Sequence, residues 1–220
     1  MIIAISGKAQ NGKDTIANMI AYCVFYHANE PFVSKPFGLE GLEHFLGFFN
    51  IEASSNFLIK RFADPLKEAS SAILGCPEEL LEDIVFKNSP IDWLECNGQI
   101  KGEITVRQLL QHLGSAVREY FGDSFWAQRL VKRIKDDAEK NAVNFLIPDL
   151  RYKIELETLK KINTRVLTIR VNRPGVPQML HSSEIDLDDY KNWDYVIENN
   201  GTLEKLLFKV RDFCKKFNLI

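Results

Sequence analysis

Apolar residues follow two rhythms along this chain. The run IIAIS over 2–6 is uninterrupted and ends on a glycine-rich turn, which predicts a buried strand. Over 15–26 the apolar positions recur at helical spacing and predict a helix. Pro31, Pro36, Gly38, Gly41 and Gly47 then break the chain, and the apolar, aromatic EGLEHFLGFF among them predicts a short helix covering the core rather than a membrane anchor. Residues 57–62 predict a second strand. Pro65 opens a helix where its missing N–H costs least, and Gly75 ends it. The pattern over 77–139 is mostly helical, interrupted by IDWLECNGQIKGEIT, whose central Asn97-Gly98 predicts a small hairpin. Strands are expected over 144–147, 165–171 and 194–197, with helices over 152–162 and 203–217.

Alternation at both ends of the chain predicts an α/β fold with a central, mainly parallel sheet. The helical middle, residues 77–142, is expected as an insertion over the C-terminal edge of that sheet, where such folds bind ligands. The whole of 1–220 is expected to form one domain carrying this insertion. Composition agrees: of 220 residues, 45% are hydrophobic and 26% charged, the balance of a globular chain rather than a disordered or membrane one. A net charge of −2 supplies no reason to expect a nucleic-acid polymer as partner. Cys23, Cys76, Cys96 and Cys214 are scattered without zinc-ligand spacing and are read as reduced thiols of a cytoplasmic protein. MIIAISG carries no basic leader, so no cleaved signal peptide is expected.

The chemistry is concentrated after the first strand. Gly7, Lys8, Ala9, Gln10, Asn11, Gly12 and Lys13 match G-x-x-x-x-G-K, the core of a phosphate-binding P-loop, in the strand-to-helix context that motif requires. Glycines let backbone N–H groups surround an anion, the helix N-terminus adds its positive end, and Lys13 neutralises the β- and γ-phosphates. Asp14 stands where the common motif has Ser or Thr for magnesium, and Thr15 follows. G-K-x-T is similar to the arrangement in nucleoside monophosphate kinases, where phosphates and water hold Mg2+, an ion that keeps its waters readily.

Other candidates lie at predicted strand ends. FLIPDLR ends a strand with Asp149 and Arg151. Asp149 is read either as holding a magnesium-bound water or as a cap for the next helix. Arg151 is read as a phosphate ligand, with a surface ion pair as the alternative. Asp64 and Lys67 open the helix after the second strand and suit a sugar hydroxyl or base and an acceptor phosphate; local sequence alone favours a helix cap and a solvated lysine. Arg173 suits a clamp on transferring phosphate. Asn199, Asn200 and Gly201 form a turn that is either a helix cap or, as in nucleotide kinases, a contact to an adenine edge. His181, Ser182, Ser183 and Glu184 have no nucleophile-triad spacing.

Together these segments resemble the deoxynucleoside monophosphate kinase family of large bacteriophages. The resemblance rests on GKDT from Gly12, FADPLKEA from Phe62, RQLLQHLG from Arg107, then Arg118, Asp123 and Trp126. It continues with PDLRY from Pro148, VNRPG from Val171, HSSE from His181 and NNGTLEKL from Asn199, all in family order. Residues 28–56 and the segment near Asn97 match poorly. The resemblance implies a three-layer P-loop kinase fold, ATP and Mg2+, a deoxynucleoside monophosphate acceptor and a homodimer. It marks Asp64, Lys67, Arg118 and Arg151 as site residues without fixing their roles. For phosphoryl transfer, Lys13 with the loop amides is read at the donor phosphates, Arg151 and Arg173 at the transferring group, and Asp64, Lys67, Arg118 and Trp126 at the acceptor. The alternatives are a kinase for another small phosphorylated acceptor, such as a coenzyme precursor, and a nucleotide-binding regulator without transfer.

Overall fold

The computed structural model describes residues 1–94, 103–140, 143–176 and 185–220. The hairpin expected around Asn97-Gly98 and the segment His181 to Glu184 lie outside these residues. The chain forms two compact units, one of Met1–Arg61 with Val131–Ile220 and the other of Phe62–Leu130.

The first unit contains β1 (Ile2–Ser6), α1 (Lys13–Asn29), α2 (Leu39–Phe48), α3 (Ile51–Ser55) and β2 (Phe57–Ile59). The second contains α4 (Asp64–Leu74), a 3-10 turn (Glu78–Glu82), α5 (Ile84–Asn88) and α6 (Val106–Phe121). After α7 (Phe125–Lys140) the chain runs through β3 (Asn144–Leu150), α8 (Lys153–Lys160), β4 (Val166–Asn172), β5 (Tyr195–Glu198) and α9 (Leu203–Lys216). The strands form one sheet in the order β2-β3-β1-β4-β5, every pairing parallel. An all-parallel sheet flanked by helices is the α/β fold that the alternation predicted, and it is consistent with the P-loop kinase fold that the resemblance implied.

Side-chain alternation explains why the strands read as continuous apolar runs. Ile3, Ile5, Leu146, Leu167, Ile169 and Val171 face one way and pack with α1 and α9. Ile2, Ala4, Phe145, Ile147 and Thr168 point the other way and are equally buried. A parallel sheet covered on both faces leaves no room for polar alternation. The EGLEHFLGFF segment is indeed helical: α2 sets Leu42 and Phe45 into the same core, with the Phe45 ring against Tyr22 and Phe25 of α1. Among the described residues no helix is long and apolar enough to cross a membrane.

Two strand limits depart from the sequence pattern. β2 stops at Ile59 rather than residue 62: Lys60 N–H makes a last bond to the Leu146 carbonyl (3.0 Å), and the Lys60 and Arg61 side chains pair with Asp137 (2.9 Å) and Asp14 (2.8 Å). β3 runs on to Leu150, past Pro148. Its register with β1 moves from Ala4 opposite Ile147 to Ser6 opposite Leu150, so β3 holds one extra residue there. Pro148 has no N–H to give to the ladder, and a bulge is where a strand accommodates that.

In the second unit Leu81, Ile91, Ile104 and Val106 make a small core of their own. Thr105 and Gln108 start α6 with reciprocal bonds to each other's backbone N–H. Gly114 brings α6 close to α4: a Cβ there would stand 3.1 Å from Leu66 Cδ2.

Glu155 completes the junction between β3 and α8. Its Oε2 accepts from the N–H groups of Arg151 (2.8 Å) and Tyr152 (3.0 Å). Burial, with Asp149 adding to it, pushes the carboxyl up from 4.5 to about 8, against the pull of those two amides. The folded protein therefore keeps a proton that the unfolded chain has released, so the contribution of this group to stability falls as pH rises from 4.5 through about 8. Glu155→Gln, uncharged and still able to accept from both amides, is expected to flatten that decline. Urea midpoints of both proteins between about pH 5 and about pH 9 test this, and parallel pH profiles would reject it.

Candidate functional site

All five strands run the same way, so their C-terminal ends share one edge. The turn after β1 leaves that edge between two neighbours. Ser6 lies opposite Leu150 of β3 on one side and Arg170 of β4 on the other. Asp149 and Arg151 therefore flank the start of the 7–13 loop, and Arg170 and Arg173 flank its other side.

Bonds within the loop and from its neighbours hold its shape. Asn11 N–H bonds the Lys8 carbonyl at 3.2 Å, closing a turn. Asn11 Nδ2 donates to the Val171 carbonyl at 2.8 Å. Asn199 Nδ2 donates to the Asn11 carbonyl at 3.0 Å, and Arg173 donates to the Gln10 carbonyl at 3.1 Å. Glycine is required where these neighbours come closest. A Cβ on Gly7 would stand 2.8 Å from the Val171 carbonyl oxygen. Gly12 has φ of 90° and would bring a Cβ 2.9 Å from Asn199 Nδ2. Gln10 also adopts a left-handed conformation, at φ 63°. A non-glycine residue there is strained, and such strain persists where surroundings over-determine the backbone.

Lys13 opens α1 and is only 7% exposed; its Nζ reaches back to the Lys8 carbonyl at 2.9 Å. Asn11 is buried too, and its Oδ1 meets no hydrogen-bond partner among the described residues. A buried polar atom in that condition costs free energy unless something meets it. A buried ammonium and an unmet acceptor on a loop at a helix N-terminus fit a ligand that brings both negative charge and hydrogen-bonding groups. Asp14 points elsewhere: its carboxylate is exposed and paired with Arg61.

Beside the loop lies a cavity of about 330 Å³ lined by Lys8, Arg170, Arg173, Asn172, Glu198 and Asn200, among others. Among the described residues, three cations and one carboxylate make its charged lining. Lys8 and Arg170 are both paired with Asp188, at 3.2 and 2.6 Å, and Arg170 also reaches Ser6 Oγ and lies over the Trp193 ring.

Several sequence expectations meet here. Gly7, Ala9, Gln10, Asn11, Gly12, Lys13, Asp14 and Thr15 form the loop and the first turn of α1, with Arg173 and Asn199 against it. Asn199 braces the loop, whereas its neighbour Asn200 lines the cavity. Gly201 sits before α9, which Thr202 caps through the Lys205 N–H. At the start of α8 the residue before the helix is Tyr152, and Glu155 accepts from the Arg151 and Tyr152 N–H groups. Asp64, Lys67, Arg118 and Trp126 all fall in the second unit. Lys67 is paired with Glu82, and Trp126 donates from Nε1 to the Gly114 carbonyl at 3.1 Å. Asn200 belongs to the turn that the sequence offered for an adenine edge, whereas Lys8, Asn172 and Glu198 carry no sequence signal that marks them as cavity residues. Only their nearness to the loop and to the VNRPG and NNGT turns points to them.

Among the described residues no cluster of three His, Cys, Asp or Glu is arranged to hold a metal ion. A hydrated cation carried by phosphates needs none.

Comparison with known proteins bears on the same chemistry from another part of the chain. The family model described as deoxynucleotide monophosphate kinase matches residues 78–210, more than half of the chain and outside the phosphate loop. A candidate deoxynucleotide monophosphate kinase of Acanthamoeba polyphaga mimivirus is 28% identical over 166 residues, covering 70% of this chain and 81% of the relative. The deoxynucleotide monophosphate kinase of Enterobacteria phage T4 is 28% identical over 118 residues, covering 53% of this chain and 48% of its own. An uncharacterized protein of Ictalurid herpesvirus 1 is 28% identical over 109 residues, covering 49% and 47%. The alignments thus span about half the length of the phage and herpesvirus relatives. With the glycine loop at the edge of a parallel sheet and a family match over residues 78–210, the chain belongs to the deoxynucleotide monophosphate kinase family.

Proposed function

We propose that this protein transfers the γ-phosphoryl group of ATP to a deoxynucleoside 5′-monophosphate. The bond from the γ-phosphorus to the β–γ bridging oxygen breaks, an acceptor phosphate oxygen forms the new one, and ADP and a deoxynucleoside diphosphate leave. The observation that carries the reading is the buried Lys13 ammonium inside a glycine loop whose two sides are flanked by Arg151 and Arg173.

Phosphoryl transfer needs alignment and charge neutralisation more than covalent help. Lys13 and the loop amides take the donor phosphates, and Arg151 and Arg173 take charge on the transferring group. The cavity beside the loop offers Asn172, Glu198 and Asn200 to the nucleoside part of the donor. Mg2+, when bound to the phosphates, supplies further neutralisation, and Asp149 at the end of β3 is the residue suited to one of its waters. Asp14 is engaged with Arg61 instead. The acceptor phosphate is already an anion, so no general base is required. Asp64, Lys67, Arg118 and Trp126 are the acceptor residues of this reading; the family and the names of its mimivirus and phage members support that acceptor class.

Purified protein with ATP and Mg2+ is expected to convert at least one common deoxynucleoside monophosphate to its diphosphate, with product identified chromatographically against a ribonucleotide series. If no deoxynucleoside diphosphate forms while ATP still binds, the acceptor assignment fails. Lys13→Met is expected to remove nearly all transfer while leaving the circular dichroism spectrum intact, and wild-type turnover in that variant would sink its role. Asp14→Ala is expected to keep measurable magnesium-dependent activity, since its partner is Arg61. Loss of metal dependence on that substitution would make Asp14 the metal ligand after all.

A further inference from the structure

The second unit contains an arrangement of charge that its small core does not need. Lys67 on α4 and Lys87 on α5 both reach one carboxylate, Glu82, in the 3-10 turn. Lys67 pairs with its Oε1, and Lys87 lies 3.5 Å from its Oε2. Side-chain exposure is 12% for Lys67 and 19% for Lys87, but 60% for Glu82. The cations are therefore fixed and largely withdrawn from water, while the anion between them stands in it. Arg107, the second residue of α6, is held beside them by a bond from its Nε to Asn88 Oδ1 at 3.0 Å.

Holding such cations together is costly. Burial pulls the Lys87 ammonium below the ordinary lysine range, Lys67 and Arg107 pull it further, and the Glu82 carboxylate opposes them. A structural ion pair would need one lysine. Two partly buried lysines sharing one long, solvent-facing carboxylate, with an exposed arginine acting on one of them, suit an anion carrying more than one negative charge. Phosphate monoesters carry about two at neutral pH and offer three acceptor oxygens.

We propose that Lys67, Lys87 and Arg107 form the binding site for the phosphate group of the acceptor, and that Glu82 occupies it until the acceptor arrives. This rests on the reading of the chain as a nucleotide kinase, and adds Lys87, Arg107 and Glu82 to the residues that reading names. The Glu82 carboxylate competes with the substrate for the same ammonium groups. Its exposure lets it swing outward without disturbing Leu81, the buried residue next to it.

The decisive feature is opposite sign. If Glu82 only braces the turn, removing either partner weakens the protein and its acceptor binding alike. If Glu82 is a placeholder, Lys87→Met raises the acceptor KM about tenfold or more, while Glu82→Gln lowers it by about threefold to tenfold by removing the competitor. Lys87→Arg, which keeps a cation, is expected to retain most of the affinity. The KM for ATP stays put in all three. Thermal unfolding checks that each variant folds, and Lys87→Arg with Glu82→Gln still decides the matter if Lys87→Met does not.

Titration with the four common deoxynucleoside monophosphates, and with inorganic phosphate and pyrophosphate, is done on protein saturated with a non-hydrolysable ATP analogue so that the P-loop is filled. Phosphate or pyrophosphate binding that strengthens in Glu82→Gln and is lost in Lys87→Met supports the site even if no deoxynucleotide is turned over; in that case only the acceptor reading falls. Turnover of a deoxynucleotide with its KM unmoved by both variants, or moved upward by both, overturns the inference and leaves the kinase reading standing. Wild-type protein that binds none of these anions overturns it as well.

Discussion

Everything at the proposed donor site depends on a short backbone loop being forced into a shape it would not hold alone. Gln10 and Gly12 both sit in left-handed conformations, and the segment belongs to neither β1 nor, before Lys13, to α1. Its neighbours impose the shape instead. The end of β4 contributes the Val171 carbonyl and Arg173, and the turn after β5 contributes Asn199. Each contact is to a backbone carbonyl of the loop or from a side chain buried in it, so the path of the main chain is specified before any ligand arrives. Glycines at 7 and 12 are the residues that make the clamp possible, because β4 and Asn199 approach too closely for a Cβ.

The sheet makes this clamp available. Parallel pairing brings the ends of β3, β1 and β4 to one edge in adjacent positions, and the ladder fixes Leu150, Ser6 and Arg170 side by side. The extra residue of β3 near Pro148 falls at this edge and sets where Asp149 and Arg151 emerge. The stability of the arrangement comes from burial on both faces of the sheet, with the large aromatic cluster of α1, α2 and α9 on one of them. The second unit, with its own small core, presents α4, α5 and α6 without drawing on that sheet.

A common electrostatic logic runs through both units. Cations beside the loop and in the second unit are held in place by carboxylates. Asp188 holds Lys8 and Arg170 beside the loop, Arg61 and Asp14 hold each other, and Glu82 holds Lys67 and Lys87. Asp188 does not line the cavity that Lys8 and Arg170 line, so it orients the two cations from outside. Glu82, by contrast, stands between the groups it pairs with. The two carboxylates thus differ in kind: one braces the cavity lining from outside, and the other, in the proposed reading, covers a binding site.

Much of this was legible in the sequence, and the reason is that it is local. The buried strands announce themselves as apolar runs, α1 and α9 by helical spacing, and the loop by the spacing of its glycines and lysine within seven residues, although the contacts that require those glycines come from Val171 and Asn199. The sequence alone therefore determined an α/β chain with a glycine loop after β1, a helical α2 in the EGLEHFLGFF segment, and an Asp14 where the common motif has Ser or Thr. The tertiary structure decided pairing over distance. That Asp14 belongs to Arg61, that Asn199 supports Asn11 while Asn200 faces the cavity, and that Glu155 meets the amides before α8 all depend on contacts between separate elements. Strand limits at Ile59 and Leu150 likewise come from partners and register, not from composition. Local periodicity encodes which residues are buried and in what kind of element. Which charged group answers which is set only when the fold brings them within a few ångströms, because Coulomb and hydrogen-bond energies depend on that separation and not on spacing along the chain.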